Sequence, residues 1–431
     1  MISALDRSTP PAAGPFQLVP LPEYTTHQLS NGMPVHLLPF GSLEIAEVQT
    51  IFFAGKNYQP KIGVAGYMSR NMLEGTAQHN SLEIAQMLDG QGAWLNHLLG
   101  EQSLSFRLAT LTDRIPRILP LLPEVVFSPS FPASEFESMK DRSLQKLKVN
   151  EERTGYVASR EFKQLLFGSG HIYGAQLGIP ELEALKLEEL IAYHEQALLP
   201  ASCQLSVVGK FDQSQVLDWL EGAFATYQPQ TKTTLQPKEM GSALQTTGRH
   251  TIEKAGMQAS LRLGYLSVNR SHPDYYALMV LNTLFGGFFG SRLMKNIREE
   301  KGYTYGIYSS LVANQHAGFW VIQTDVGNEY VEATISEVKK EMNRLKEERV
   351  SEEELKLVKN YLLGKSLSQR ESPFQIGDFL RFSIAQGISF AEIDRKFEVI
   401  QQITPEMLQY LAQQYLKPDD MLELVVGQPE K

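Results

Sequence analysis

The residues best suited to chemistry in this chain are an arginine and a tyrosine either side of a glycine. In GSRLMKNIREEKGYTYGIY, residues 290–308, Arg298 comes before Gly302 and Tyr305. A guanidinium fork and a phenol are both hydrogen-bond donors, and a donor fixed in advance at a developing oxyanion lowers a barrier by about 3 kcal/mol. The spacing suits that role, with Arg298 closing a helix, Gly302 turning the chain and Tyr305 starting a strand that doubles back. A second reading uses the same residues structurally: Arg298 pairs with Glu299 or Glu300 at the helix end, and Tyr305 is a half-buried strand residue.

Other reactive chemistry is sparsely supplied. The nine histidines include no pair at the i, i+3 or i, i+4 spacing of a helical metal site. There is no G-x-S-x-G elbow and no P-loop, and the glycine-rich run at residues 286–292 does not follow a short strand as a nucleotide loop would. The one cysteine, Cys203, excludes an intrachain disulfide and a cysteine-based zinc ribbon, and its place in SCQLSVVG reads as a small buried strand residue. With 40 basic and 49 acidic residues the net charge is −9, which argues against nucleic acid as a partner. The longest apolar stretches, 118–127 and 278–290, fall short of the roughly 20 residues of a bilayer span, so no membrane span is expected. The first residues, MISALDRSTPPAAGPFQ, show no charged segment followed by an apolar one. A cytoplasmic location is therefore expected, with the periplasm left open.

The elements that must position these residues follow from periodicity. Residues 24–40 read as two strands around a Ser-Asn-Gly-Met turn, and 48–54 as another strand. Residues 63–73 form a helical pattern with Val64, Met68, Met72 and Leu73 on one face, and 81–90 a helix opened by Ser81 with Glu83 in its first turn. A strand at 103–109, a helix at about 113–127 and a long helix at 133–151 come next. A similar succession recurs later, with a strand at 318–325 and helices at 329–348 and 351–366, the last with Ser351 and Glu354 spaced as a capping box. The segments LEELIAYHEQALLPASCQLSVVG, ending at Gly209, and PEMLQYLAQQYLKPDDMLELVVG, ending at Gly427, match most closely. These repeats predict a loose arm over 1–16, a first domain over 17–226, a polar proline-containing linker over 227–245 and a second domain over 246–431. The predicted class is α+β, two similar duplicated domains, each an antiparallel-rich sheet with helices packed on one face.

The stretch GVAGYMSRNMLEGT, residues 63–76, resembles the zinc helix of the pitrilysin and insulinase metallopeptidases, the inverzincins, with their G-L-A-H-x-x-E-H-x-L-x-x-G-T signature. Laid on that frame without a gap, the first histidine falls on Gly66, the glutamate on Ser69 and the second histidine on Arg70. The family's third ligand, a glutamate on a later helix, falls on Gln145 or Lys146 in LQKLKVNEE, with Glu151 and Glu152 a turn or two beyond. A guanidinium has no lone pair to offer and repels a metal, so the frame survives without its ligands. The corresponding positions of the second half, Ala277, Val280 and Leu281, supply no replacement.

Residues 290–308 resemble the C-terminal signature of the same family, S-R-L-x(3)-I-R-E-x-x-G-x-x-Y, and here Arg298 and Tyr305 are kept. In the family this pair reaches toward the zinc of the opposite domain or subunit, holds the peptide carbonyl and stabilises the oxyanion. The resemblance covers nearly the whole chain after the arm and implies two α/β-roll domains. It implies a subunit with no metal of its own, inactive alone, that supplies Arg298 and Tyr305 in trans to a homologous zinc-bearing peptidase subunit acting on unfolded peptide. The alternative is a non-enzymatic scaffold or peptide-binding module of the same fold.

Overall fold

Strand alternation in the sequence builds two sheets in the computed structural model, which describes residue 14 and residues 16–228 and 235–428. The first comprises β1 (Thr25–Gln28), β2 (Pro34–Pro39), β3 (Ile45–Phe52), β4 (Trp94–Leu99), β5 (Leu104–Leu111) and β6 (Gln204–Gly209), in the order β1-β2-β6-β3-β5-β4. The second comprises β7 (Gly248–Glu253), β8 (Gln258–Ser267), β9 (Thr304–Ala313), β10 (Gly318–Gly327) and β11 (Leu422–Gly427), in the order β7-β11-β8-β10-β9. Without β1 the two orders are the same. In each sheet the closing strand lies parallel to one neighbour, β6 to β2 with Val35 opposite Leu205 and β11 to β7 with Leu422 opposite Gly248, and the other pairs are antiparallel. The duplication seen in sequence is thus a duplication of strand order.

Local chemistry sets the elements. The Asn-Gly turn joins β1 to β2, with Thr25 opposite Leu37. The long helix forms over Ala133–Glu151. The helix Ser81–Gly90 is capped by Asn80 rather than opened by Ser81: the Asn80 side chain accepts the Glu83 N–H at 3.0 Å, and Glu83 Oε2 accepts the Asn80 N–H at 2.8 Å. The single helix expected over 113–127 is broken into a turn and two short helices, Ile115–Ile118 and Leu121–Phe127, because Pro116, Pro120 and Pro123 lack the N–H a continuous helix needs. The expected arm over 1–16 lies outside the described residues except for 14 and 16. The described part of the expected linker, 227–228 and 235–245, contains no helix or strand.

One face of each sheet carries a large core. Val48, Phe52, Phe106 and Leu108 pack with Val64 and Met68 of the helix Val64–Asn71 and with Met72 just after it, and Leu261, Leu263, Trp320 and Ile322 pack with Leu281, Ile335 and Val358. The opposite faces are covered by an exchange that the expectation of helices on one face did not include. The helix Thr154–Phe167, from the first half, lays Phe162 and Phe167 on Phe319, Leu424 and Val426 of the second sheet. Its counterpart Pro373–Gln386, from the second half, lays Ile376 and Leu380 on Leu38 and Val208 of the first.

That second contact also buries polar groups. Glu47 and Gln49 of β3 lie beneath the helix Pro373–Gln386, and Arg107 joins the layers, its Nε 3.1 Å from Glu47 Oε2 and its other end paired with Asp378. Gly377 allows the approach, since a Cβ there would stand 2.6 Å from Glu47 Oε1. Burial pushes the Glu47 carboxyl up to about 7, with the Arg107 charge pulling the other way. Among the described residues no helix is long and apolar enough to cross a membrane.

Candidate functional site

The helix Val64–Asn71 presents Gly66 and Arg70 to a cavity of about 920 Å³, and the helix Ala133–Glu151 presents Lys146 to the same space. The far wall is the second sheet, through Arg262 of β8, Ser310 and Val312 of β9, and Val321 and Gln323 of β10. Three of the four degenerate motif positions therefore converge. The fourth does not line the cavity: Ser69 is fully buried, and its hydroxyl donates to the Gly66 carbonyl at 3.3 Å. Adjacent residues on a helix point about 100° apart, which separates inward-facing Ser69 from Arg70.

Zinc does not fit these positions. Gly66 has no side chain, the Ser69 hydroxyl is committed to the backbone, and Arg70 and Lys146 are cations without a lone pair to donate at neutral pH. A Cβ at Gly66 would meet only Leu99 Cδ2, at 3.6 Å, so space for a side chain exists but the ligand is missing. Arg70 lies over the Tyr67 ring at 5.9 Å. Its charge adds to burial in holding the His97 imidazole below its ordinary value, so the histidine beside the motif is kept neutral. Among the described residues no group of three His, Cys, Asp or Glu side chains is placed to hold a metal ion.

Arg298 and Tyr305 sit elsewhere. Arg298 is in the last turn of the helical segment Met294–Glu300, Gly302 takes a φ of 68°, and Tyr305 follows at the start of β9. Only a residue free of a Cβ adopts that turn without strain. The Arg298 Nε donates to the Tyr305 carbonyl at 3.0 Å, and its guanidinium lies 4.6 Å from the Phe289 ring centre and 5.9 Å from that of Tyr305. The nearest carboxylate, Glu299, stands at 3.7 Å, a loose surface pair. Tyr305 is 93% exposed rather than half-buried, with Phe289 and Tyr308 exposed as well. Neither Arg298 nor Tyr305 lines the cavity that holds Gly66, Arg70 and Lys146.

Sequence reasoning did not reach the other charged residues of the cavity, Lys56, Glu101, Lys163, Lys238 and Arg262. A signal existed for Arg262, a lone charge in the otherwise apolar alternation of β8. Lys163 belongs to the crossing helix, whose destination only the tertiary fold reveals.

Two family models match much of the chain. A family model described as "Insulinase (Peptidase family M16)" matches residues 44–167, and one described as "Peptidase M16 inactive domain" matches residues 184–362. The chain is 26% identical over 362 residues to a Helicobacter pylori protein named "Non-peptidase homolog YmxG", covering 80% of this chain and 81% of that one. It is 24% identical over 312 residues to a Bacillus subtilis protein named "Uncharacterized zinc protease YmxG", covering 72% and 75%. Among solved structures, the peptidase M16 inactive domain from Pseudomonas fluorescens superposes with a TM-score of 0.84 at 25% identity, covering 95% of this chain and 98% of that one.

Proposed function

This chain belongs to the M16, or insulinase, family of peptidases, and from that premise we propose that it is a zinc-free subunit that works beside a homologous zinc-bearing chain. In this reading Arg298 and Tyr305 bind and polarise the scissile carbonyl of an unfolded peptide cut at the partner's metal. Arg298 and Tyr305 are the catalytic residues, acting in trans, and the chain alone does not hydrolyse peptides.

The observation that carries the reading is the exposed Arg298–Tyr305 pair. An exposed tyrosine contributes little to the fold, yet here its backbone carbonyl holds a guanidinium that also lies against the exposed Phe289 ring. Two donors at the surface next to an exposed aromatic suit a site completed by a second chain. The test is reconstitution: this chain mixed with a partner carrying an intact H-x-x-E-H motif cleaves unstructured peptide, whereas either chain alone does not. Equal cleavage by the partner alone would overturn the reading.

A second reading, a peptide-binding module without catalysis, is favoured by one observation. The large cavity does not include Arg298 or Tyr305, and it is bordered by Leu99 at the end of β4, a strand paired on one side only among the described residues. A peptide could add to that edge by main-chain pairing. Peptide binding that persists without any zinc-bearing partner would favour it.

A further inference from the structure

We propose that the cavity between the sheets is selective for acidic peptide, holding an extended segment by its Asp and Glu side chains. The inference rests on the reading of this chain as one that holds unfolded peptide, and it names which peptide.

The lining has six cationic side chains, Lys56, Arg70, Lys146, Lys163, Lys238 and Arg262, and among the described residues one carboxylate, Glu101. Glu101 is spoken for by Lys56 at 3.6 Å. The other five make no ion pair with any described residue. Composition predicts the reverse, because the chain as a whole carries a net charge of −9. Cations gathered in a concave space with low-dielectric walls focus their field there, and they repel one another unless an anion enters.

Arg262 makes the point most strongly. It is 8% exposed, and its hydrogen bonds go to neutral groups: the Leu261 and Gly155 carbonyls and the Ser159 hydroxyl. Asp325, on the neighbouring strand, is bonded to Ser260 at 2.6 Å and acts on Arg262 through its charge without forming an ion pair with it. Buried charges are ordinarily paired, so a guanidinium at a cavity wall without a carboxylate in contact is set up for an anion from outside.

The rest of the lining favours a peptide over a small ion. Leu99, Leu147, Leu177, Val312 and Phe319 offer apolar surface between the charges, and the open edge of β4 offers main-chain donors and acceptors.

The experiment measures binding of two fluorescent peptides to the full chain by anisotropy. They have equal length and equal apolar content, one alternating in Glu and the other in Lys. The Glu peptide is expected to bind and to weaken as sodium chloride is raised, and the Lys peptide not to bind at the same concentration. Lys146→Glu with Lys163→Glu, both at exposed positions, raises the Kd for the Glu peptide at least about tenfold, and the milder Lys146→Gln with Lys163→Gln gives an intermediate loss. Equal binding of both peptides, or preference for the Lys peptide, overturns the charge selectivity and leaves the peptide-holding reading standing. No binding of either overturns this proposal and the peptide-binding-module reading, while the two-chain reading is judged by reconstitution with the zinc-bearing partner. Displacement by inorganic phosphate at the peptide's own concentration, or tighter binding of a single-stranded oligonucleotide, also overturns the proposal.

Discussion

The backbone carbonyl of Tyr305 holds the guanidinium of Arg298 through Nε at 3.0 Å, so one residue of the pair orients the other. The phenol takes no part in that bond and remains exposed. Their contributions to fold and to turnover are therefore separable. Arg298→Ala and Tyr305→Phe should each change the unfolding free energy by less than about 1 kcal/mol, as for surface sites generally. In the reconstituted pair each should lower kcat about 100-fold or more with a smaller effect on KM. Steady-state kinetics beside a urea melt checks both, and full activity in both variants would remove these residues from the mechanism.

The donor set around Gly66 predicts the metal content. The purified chain, analysed by atomic absorption after gel filtration, should carry no stoichiometric zinc. Gly66→His with Arg70→His and Lys146→Glu puts two imidazoles and a carboxylate on one cavity wall, and this variant should take up zinc at up to one equivalent. Stoichiometric zinc in the unaltered chain would contradict the chemistry of these side chains.

Glu47 makes stability depend on pH. Its carboxyl moves from 4.5 to about 7 on folding, so between those values the folded chain holds a proton that the unfolded chain has released. The stabilisation is complete below about pH 4.5 and is lost as pH rises through about 7, a fall on the order of 3 kcal/mol from this group. Glu47→Gln should flatten that slope between pH 5 and pH 8, as measured by urea unfolding.

The exchanged helices predict that damage crosses from one half to the other. Phe162→Ala should cost about 3–5 kcal/mol and Leu380→Ala about 2–5 kcal/mol, each loosening a sheet built by the opposite half. Hydrogen exchange would register the first at β10 and β11 and the second at β2 and β6. The division we propose, 17–226 and 246–431, should accordingly give poorly soluble pieces when each is expressed alone and a soluble complex when both are expressed together.

What the sequence revealed and what it hid follow from the range of the interactions. The Asn-Gly hairpin near Gly32 and the helix Ala133–Glu151 were legible because their signals lie within the segment itself. The repeat of strand order was legible from the matching segments that end at Gly209 and Gly427. Glu47, by contrast, alternates with apolar neighbours as a solvent-facing strand residue does, and it is buried only because a helix more than half the chain away lies over it. In the same way TGYVASREFKQLLF shows an apolar stripe but not which sheet will receive it. Gly66, Arg70 and Lys146 were reached through the motif frame, and they do share a cavity. The charge of that cavity depends equally on Lys163, Lys238 and Arg262, which no single motif contains.

The crossing of Thr154–Phe167 and Pro373–Gln386 also constrains how such a chain can drift over generations. A lobe that wears a cover made by its twin cannot be swapped out as a cassette, because the cover would arrive without its seat. Changes at Phe162 or Phe167 must be matched at Phe319 and Leu424, and changes at Ile376 must be matched at Leu38 and Val208. The two lobes are thereby bound to a common history, even where their own interiors are free to diverge.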